Sequence, residues 1–142
     1  MKKTFWVLAT VLVLSAVLLA ACGGGAATPT IVRQDPPAEY AGKTDPYTGD
    51  QAAIDAGKTL YTQNCESCHG PKGLGDGPAG ASLDPHPGNL ENAVKDAGDA
   101  YMFWVINEGG AAAGRSASMA SYKGILTEDE IWKILAYVKT LK

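Results

Sequence analysis

Cys65-Glu66-Ser67-Cys68-His69 is the stretch on which the reading of this chain turns. Two cysteines two residues apart serve three chemistries: zinc binding, dithiol redox exchange and covalent attachment of a cofactor. Zinc would need four ligands. Outside the motif the chain offers only His86 and carboxylates, with no second cysteine pair. A thioredoxin-like pair would end a strand and open a helix. Here a helical pattern leads into the motif and Gly70-Pro71 follows it.

What remains is c-type haem attachment, for which few short motifs are so specific. Two thiols three positions apart at a helix end can each add to a vinyl group, while the adjacent imidazole of His69 reaches the iron. The opposite axial ligand then decides the function: a strong sixth ligand makes an electron carrier, and a vacant position allows ligand chemistry. Three side chains compete for it. Met119 lies in the flexible stretch Gly114 to Ser121, where no helical core stripe claims its thioether. Met102 sits inside an apolar run beside Val105 and Ile106, where a core role explains it, and His86 lies between Pro85 and Pro87 as a loop residue. Met119 is therefore the expected ligand. A thioether favours Fe(II) more than a second imidazole would, which implies a higher potential than a bis-histidine site.

Working outward, a helix is expected from about Asp50 into the motif, with Ile54, Gly57, Leu60 and Tyr61 on its inner face. Gly57 in mid-helix costs about 1 kcal/mol relative to alanine, which suggests that another backbone crosses there. The last helix is the natural partner. Thr127 and Glu130 form a capping box, and Glu128 and Asp129 suit the positive end of the helix dipole. Ile131, Ile134, Leu135, Val138 and Leu141 make its apolar stripe. Asp99 reads as the cap of a short buried helix from Ala100 to Asn107, stopped by Gly109 and Gly110. Gly70 to Asn92 and Gly109 to Ser121 read as loops.

The N-terminal part has a different character. Lys2 and Lys3 precede an apolar run from Phe5 to Leu19, the pattern of an export signal. The run ends in Leu19-Ala20-Ala21-Cys22, which resembles the bacterial lipobox, with residues 1–21 removed and Cys22 lipidated. An uncut membrane helix is the alternative, since the 17 residues from Phe5 to Ala21 reach the short edge of a bilayer span. Three cysteines cannot all pair. Cys22 for lipid and Cys65 and Cys68 for haem account for all of them. Loss of Lys2 and Lys3 would leave 10 basic against 15 acidic residues, a net charge of −5, which makes nucleic acid an unsuitable partner. Residues 22–49 are rich in Gly, Ala, Thr and Pro and read as a linker, with a reach of about 90 Å at full extension. Tyr40, Tyr47 and the prolines would also suit an extended strand docked on a partner.

Residues 50–142 resemble the class I cytochrome c family, which shows the same order: Gly57 and Tyr61, the Cys65 to His69 motif, the glycine-rich Gly73 to Pro78, Met119 and the last helix. The resemblance implies an all-α fold wrapped around one covalently attached haem c. It also implies that the Pro78 carbonyl accepts the second ring N–H of His69, with Pro71 as the competing choice. Met119 is followed by Ala120, where many relatives have a proline that helps to hold the loop. The whole layout further resembles the monohaem lipoprotein subunit of alternative complex III. That implies a lipid-anchored electron-transfer protein, not itself an enzyme, on the outer face of a bacterial membrane. Its partners would be a quinol-oxidising complex and soluble or membrane-bound donors and acceptors. A free tethered carrier feeding an oxidase or reaction centre is a second form of the same function. A haem-based sensor or peroxidase-like enzyme is the alternative should Met119 not ligate.

Overall fold

The computed structural model describes residues 33–142. Cys22 and the expected signal lie outside them. Four helices carry the fold: α1 (Gln51–Asn64), α2 (Glu66–His69), α3 (Leu90–Glu108) and α4 (Glu128–Val138), with a 3-10 turn at Gly110–Ala113. Among the described residues there is no strand, only an isolated bridge between Lys123 and Leu126.

α1 begins where the Asp50 carboxylate accepts the N–H of Ala53, and α4 begins on the expected capping box of Thr127 and Glu130. The two helices cross at Gly57. A Cβ there would stand 1.9 Å from the Lys133 carbonyl oxygen and 2.5 Å from its carbon. Only a residue without a side chain permits that approach. Tyr61, Phe103, Ile131, Ile134 and Leu135 are the largest fully buried side chains, and the Phe103 and Trp132 rings stack at 4.5 Å between centroids. The core is thus the apolar stripe of α4, closed by α1 on one side and by the second half of α3 on the other.

Two expectations change. α3 is longer than the sequence suggests: Asn89 caps an additional first part, and the helix bends at Gly98, whose φ of 74° no helix interior holds. The second part matches the expected helix, but Asp99 does not serve as its cap. The Asp99 carboxylate instead accepts the N–H of Asp45 at 2.9 Å and pairs with Lys139 at 2.5 Å.

The second change concerns the linker. Residues 33–49 do not run free; they lie along α3 and α4 as a strap. Tyr40 is 6% exposed against Phe103, and its hydroxyl donates to Glu108. Lys43 pairs with Glu128 at 2.9 Å and stands over the Phe103 ring. The Asp45 carboxylate is fully buried and takes the Lys139 ammonium at 3.1 Å and the Tyr47 N–H at 2.8 Å. Tyr40 and Tyr47 do dock, but they do so within turns at residues 38–42 and 46–49 and not along an extended strand, and the surface they dock on is the domain's own. Prolines disguise such a segment as linker, because they exclude helix without excluding packing.

Candidate functional site

α1 ends at Cys65, whose backbone (φ −120°, ψ −37°) leaves the helical region before α2 resumes. The N–H groups of Cys68 and His69 both return to the Cys65 carbonyl, at 3.2 and 2.9 Å. Cys65, Cys68 and His69 therefore stand at i, i+3 and i+4 of one turn and share a face. Cys65 and Cys68 are free thiols. Burial, with Cys68 beside it, pushes the Cys65 thiol up to about 12, so it is not the low-pKa thiolate of a dithiol exchange centre. Among the described residues no three His, Cys, Asp or Glu side chains converge as a metal site.

The turn is held from behind by backbone. Its free carbonyls are taken by the following loop: Gly75 N–H on His69, Gly77 N–H on Cys68 and Ala79 N–H on Ser67, at 2.9, 3.2 and 2.9 Å. The loop lies so close that a Cβ on Gly77 would meet the Ser67 oxygen at 2.5 Å, and one on Gly80 the Cys68 oxygen at 2.4 Å. The buried Tyr61 hydroxyl donates to the Gly70 carbonyl at 2.6 Å and pins the end of the turn.

Among the described residues, Nδ1 of His69 is the buried side-chain nitrogen or oxygen that lacks a hydrogen-bond partner. Burial holds the imidazole below its ordinary pKa, and the Gly88 backbone pulls it partly back up. The ring is thus neutral near pH 7, the form that ligates metals. The expected Pro78 carbonyl does not pair with Nδ1, nor does that of Pro71. His86 is exposed, with Nδ1 3.2 Å from the Gly80 carbonyl.

Met119 lies half-buried against the core on the loop between α3 and α4, whereas Met102 is buried in α3 as expected of a core residue. The Met119 carbonyl accepts the Gly110 N–H at 2.9 Å, and the Ile106 and Asn107 carbonyls accept the N–H groups of Tyr122 and Lys123 at 3.1 and 2.9 Å. Tyr122 joins this loop to the motif: its hydroxyl donates to the Asn64 carbonyl at 2.5 Å, and burial together with nearby Cys65 and Cys68 raises its pKa. Arg115 is exposed and donates to the Tyr101 hydroxyl at 3.1 Å.

This donor set fits a haem: two thiols and a neutral imidazole on one turn, an unpaired buried ring nitrogen, and a thioether on a loop fastened to the same turn. The Gly77 and Gly80 cradle keeps the supporting loop from intruding on the turn.

Residues 54–142 match the family model described as cytochrome c. The chain is 34% identical over 96 residues to cytochrome c-554(547) of Halothiobacillus neapolitanus, a stretch that covers 66% of this chain and 99% of that protein. It is also similar to the crystal structure of cytochrome CL from the marine methylotrophic bacterium Methylophaga aminisulfidivorans. There the identity is 28% and the TM-score 0.53, over 68% of this chain and 60% of that one. With an all-α fold, a Cys-x-x-Cys-His turn and these relatives in agreement, the chain belongs to the cytochrome c family, as an electron-transfer protein whose cofactor is one covalently attached haem c.

Proposed function

We propose that Cys65 and Cys68 form the two thioethers, that His69 and Met119 are the axial ligands, and that the domain carries single electrons at the outer face of a bacterial membrane, tethered through lipidated Cys22. The tether is carried by one observation: an apolar leader ending in Leu19-Ala20-Ala21-Cys22 stands N-terminal to a cytochrome c domain with no other use for that cysteine. Bound haem would supply a one-electron Fe(II)/Fe(III) couple. The residues do the rest: two thiols fix the group, His69 is held neutral by burial, and Met119 supplies the soft ligand that favours the reduced state.

The strap bears on the tether. Because the chain is engaged from Arg33 onward, only residues 23–32 separate the domain from Cys22. Their contour length is about 33 Å at ~3.3 Å per residue, roughly a third of the span expected for an unbroken linker. Such a leash raises the effective concentration at a membrane partner and denies access to distant ones. This supports a subunit or close partner of a quinol-oxidising assembly of the alternative complex III type over a carrier that shuttles between complexes. Among the described residues no helix is long and apolar enough to cross a membrane.

Cys22→Ser is expected to move the haem protein from the membrane fraction to the soluble one; retention on the membrane would overturn lipid tethering. Co-purification from gently solubilised membranes tests the assembly, and solitary recovery would sink it. In the ferric protein, Met119→Ala is expected to abolish the weak far-red sulfur-to-iron band. Persistence of the band in that variant would reopen the reading as a ligand-binding sensor or peroxidase-like enzyme.

A further inference from the structure

Met119 sits on a loop with little stiffness of its own. Its flanks are Gly109, Gly110 and Gly114 on one side and Gly124 on the other, and Ala120 after it does not lock the backbone as a proline would. The strap bears on this loop on both sides of Met119, directly on the early side and through Asn107 and Glu108 at the end of α3 on the late side. On the early side, the Gln34 side chain packs over Gly114, whose added Cβ would stand 3.2 Å from the Gln34 amide nitrogen. Arg33, one residue before, lies over the Tyr101 ring, whose hydroxyl accepts Arg115. On the late side, Asn107 is the junction. Its side-chain amide donates to the Tyr40 hydroxyl at 2.9 Å, while its backbone carbonyl accepts the Ser121 hydroxyl at 2.6 Å and the Lys123 N–H at 2.9 Å. Next to it, Glu108 takes the Tyr40 hydroxyl and the Lys123 ammonium together.

We infer that the strap is a clamp on the sixth-ligand loop, with Tyr40 and Asn107 as positioning residues that hold Met119 against displacement by an outside ligand. This rests on Met119 as the axial ligand. The physical content is simple. For the methionine to leave, residues 115–122 must swing away, and in this fold that motion breaks the Asn107 carbonyl bonds. Asn107 is fixed in turn by a half-buried side-chain bond to a tyrosine that is itself packed on Phe103.

The test is titration of the full-length ferric holoprotein with imidazole, following loss of the far-red band. Tyr40→Phe keeps the ring and removes the hydroxyl; it is expected to lose the band at about fivefold lower imidazole, the effect of one half-buried hydrogen bond. Lys123→Met, an exposed change that leaves the core intact, is expected to shift it in the same direction by less. Tyr47→Phe removes a strap hydroxyl of the same kind that donates to Asp129 at the start of α4, away from the loop, and is expected to match the wild type. A wild-type midpoint for Tyr40→Phe would overturn the clamp, as would equal shifts in Tyr40→Phe and Tyr47→Phe, which would signal general loosening. If Met119→Ala abolishes the band while Tyr40→Phe is silent, only the clamp falls. If Met119→Ala keeps the band, the ligand assignment falls and the clamp with it.

Discussion

The turn that carries Cys65, Cys68 and His69 and the loop that carries Met119 are both bordered by glycines, yet they are secured in opposite ways. The turn is held by backbone to backbone, through N–H groups of residues twelve or fewer positions away and glycines that admit the approach. The loop is fastened to the end of α3 by backbone, and beyond the buried core of α3 its last residues Asn107 and Glu108 are tied by side chains from the strap, up to 68 positions earlier. Backbone bonds within a tight loop survive most substitutions, since any residue except proline supplies them. Side-chain bonds depend on the identity of each partner. The fixed end of the site should therefore be sensitive to added volume, and the adjustable end to lost polar atoms.

The largest effect should come from breaking the scaffold both regions share. Gly57→Val places side-chain atoms against the Lys133 carbonyl, and because the obstacle is backbone the helices must part. A loss of about 3 kcal/mol or more is expected in chemical unfolding of the holoprotein. A wild-type midpoint would mean that α1 and α4 do not cross there.

Next is the anchor of the strap. Lys139→Met leaves the fully buried Asp45 carboxylate without its cation and exposes Asp99 to it, at a cost of roughly 2 to 3 kcal/mol. Hydrogen exchange should quicken at residues 40–47 and leave 65–80 protected. Equal quickening in both segments would contradict the separation between the two regions.

Gly77→Ala tests the turn itself. The added methyl meets three backbone atoms of the Glu66 to Cys68 turn, and about 1 to 2 kcal/mol is expected as the supporting loop backs away. Here the strap amides should not respond.

The smallest effect is the dependence on pH. Burial pushes the Asp99 carboxyl up, but the Lys139 hydrogen bond and the Asp45 N–H outweigh it and hold it below its ordinary value. A carboxyl depressed in the folded state binds fewer protons than the unfolded chain does. Its contribution is thus complete above the ordinary carboxylate range and is lost as the pH falls below about 4, through the folded value. The melting temperature should fall over that interval, and Lys139→Met should flatten the fall. An unchanged slope in the variant would show that Asp99 is not the group responsible.

Much of this was legible beforehand, and the exceptions are instructive. α4 announced itself through a capping box and a five-residue stripe, both local patterns, and the structure follows them. Gly57 was legible because a mid-helix glycine is a local anomaly with a cost. The first half of α3 was not, since Leu90, Val94 and Ala97 make a thin stripe interrupted by Gly98. Asp99 looked like a cap because caps are recognised by residue type and position. A carboxylate with a lysine from α4 and an amide from the strap within reach gains more from them than from its own helix end.

The amino-acid sequence by itself determined the chemistry of the site: thiols and imidazole in one turn, a spare thioether, and a lone cysteine after an apolar leader are fixed by covalent order and read within a few residues. Only the tertiary structure decided what holds that chemistry in place. The return of Tyr40 to Asn107 and Glu108 and the burial of Asp45 under Lys139 join residues 67 to 94 positions apart. No local pattern encodes such pairings, because each depends on where two separately stable segments come to rest against each other.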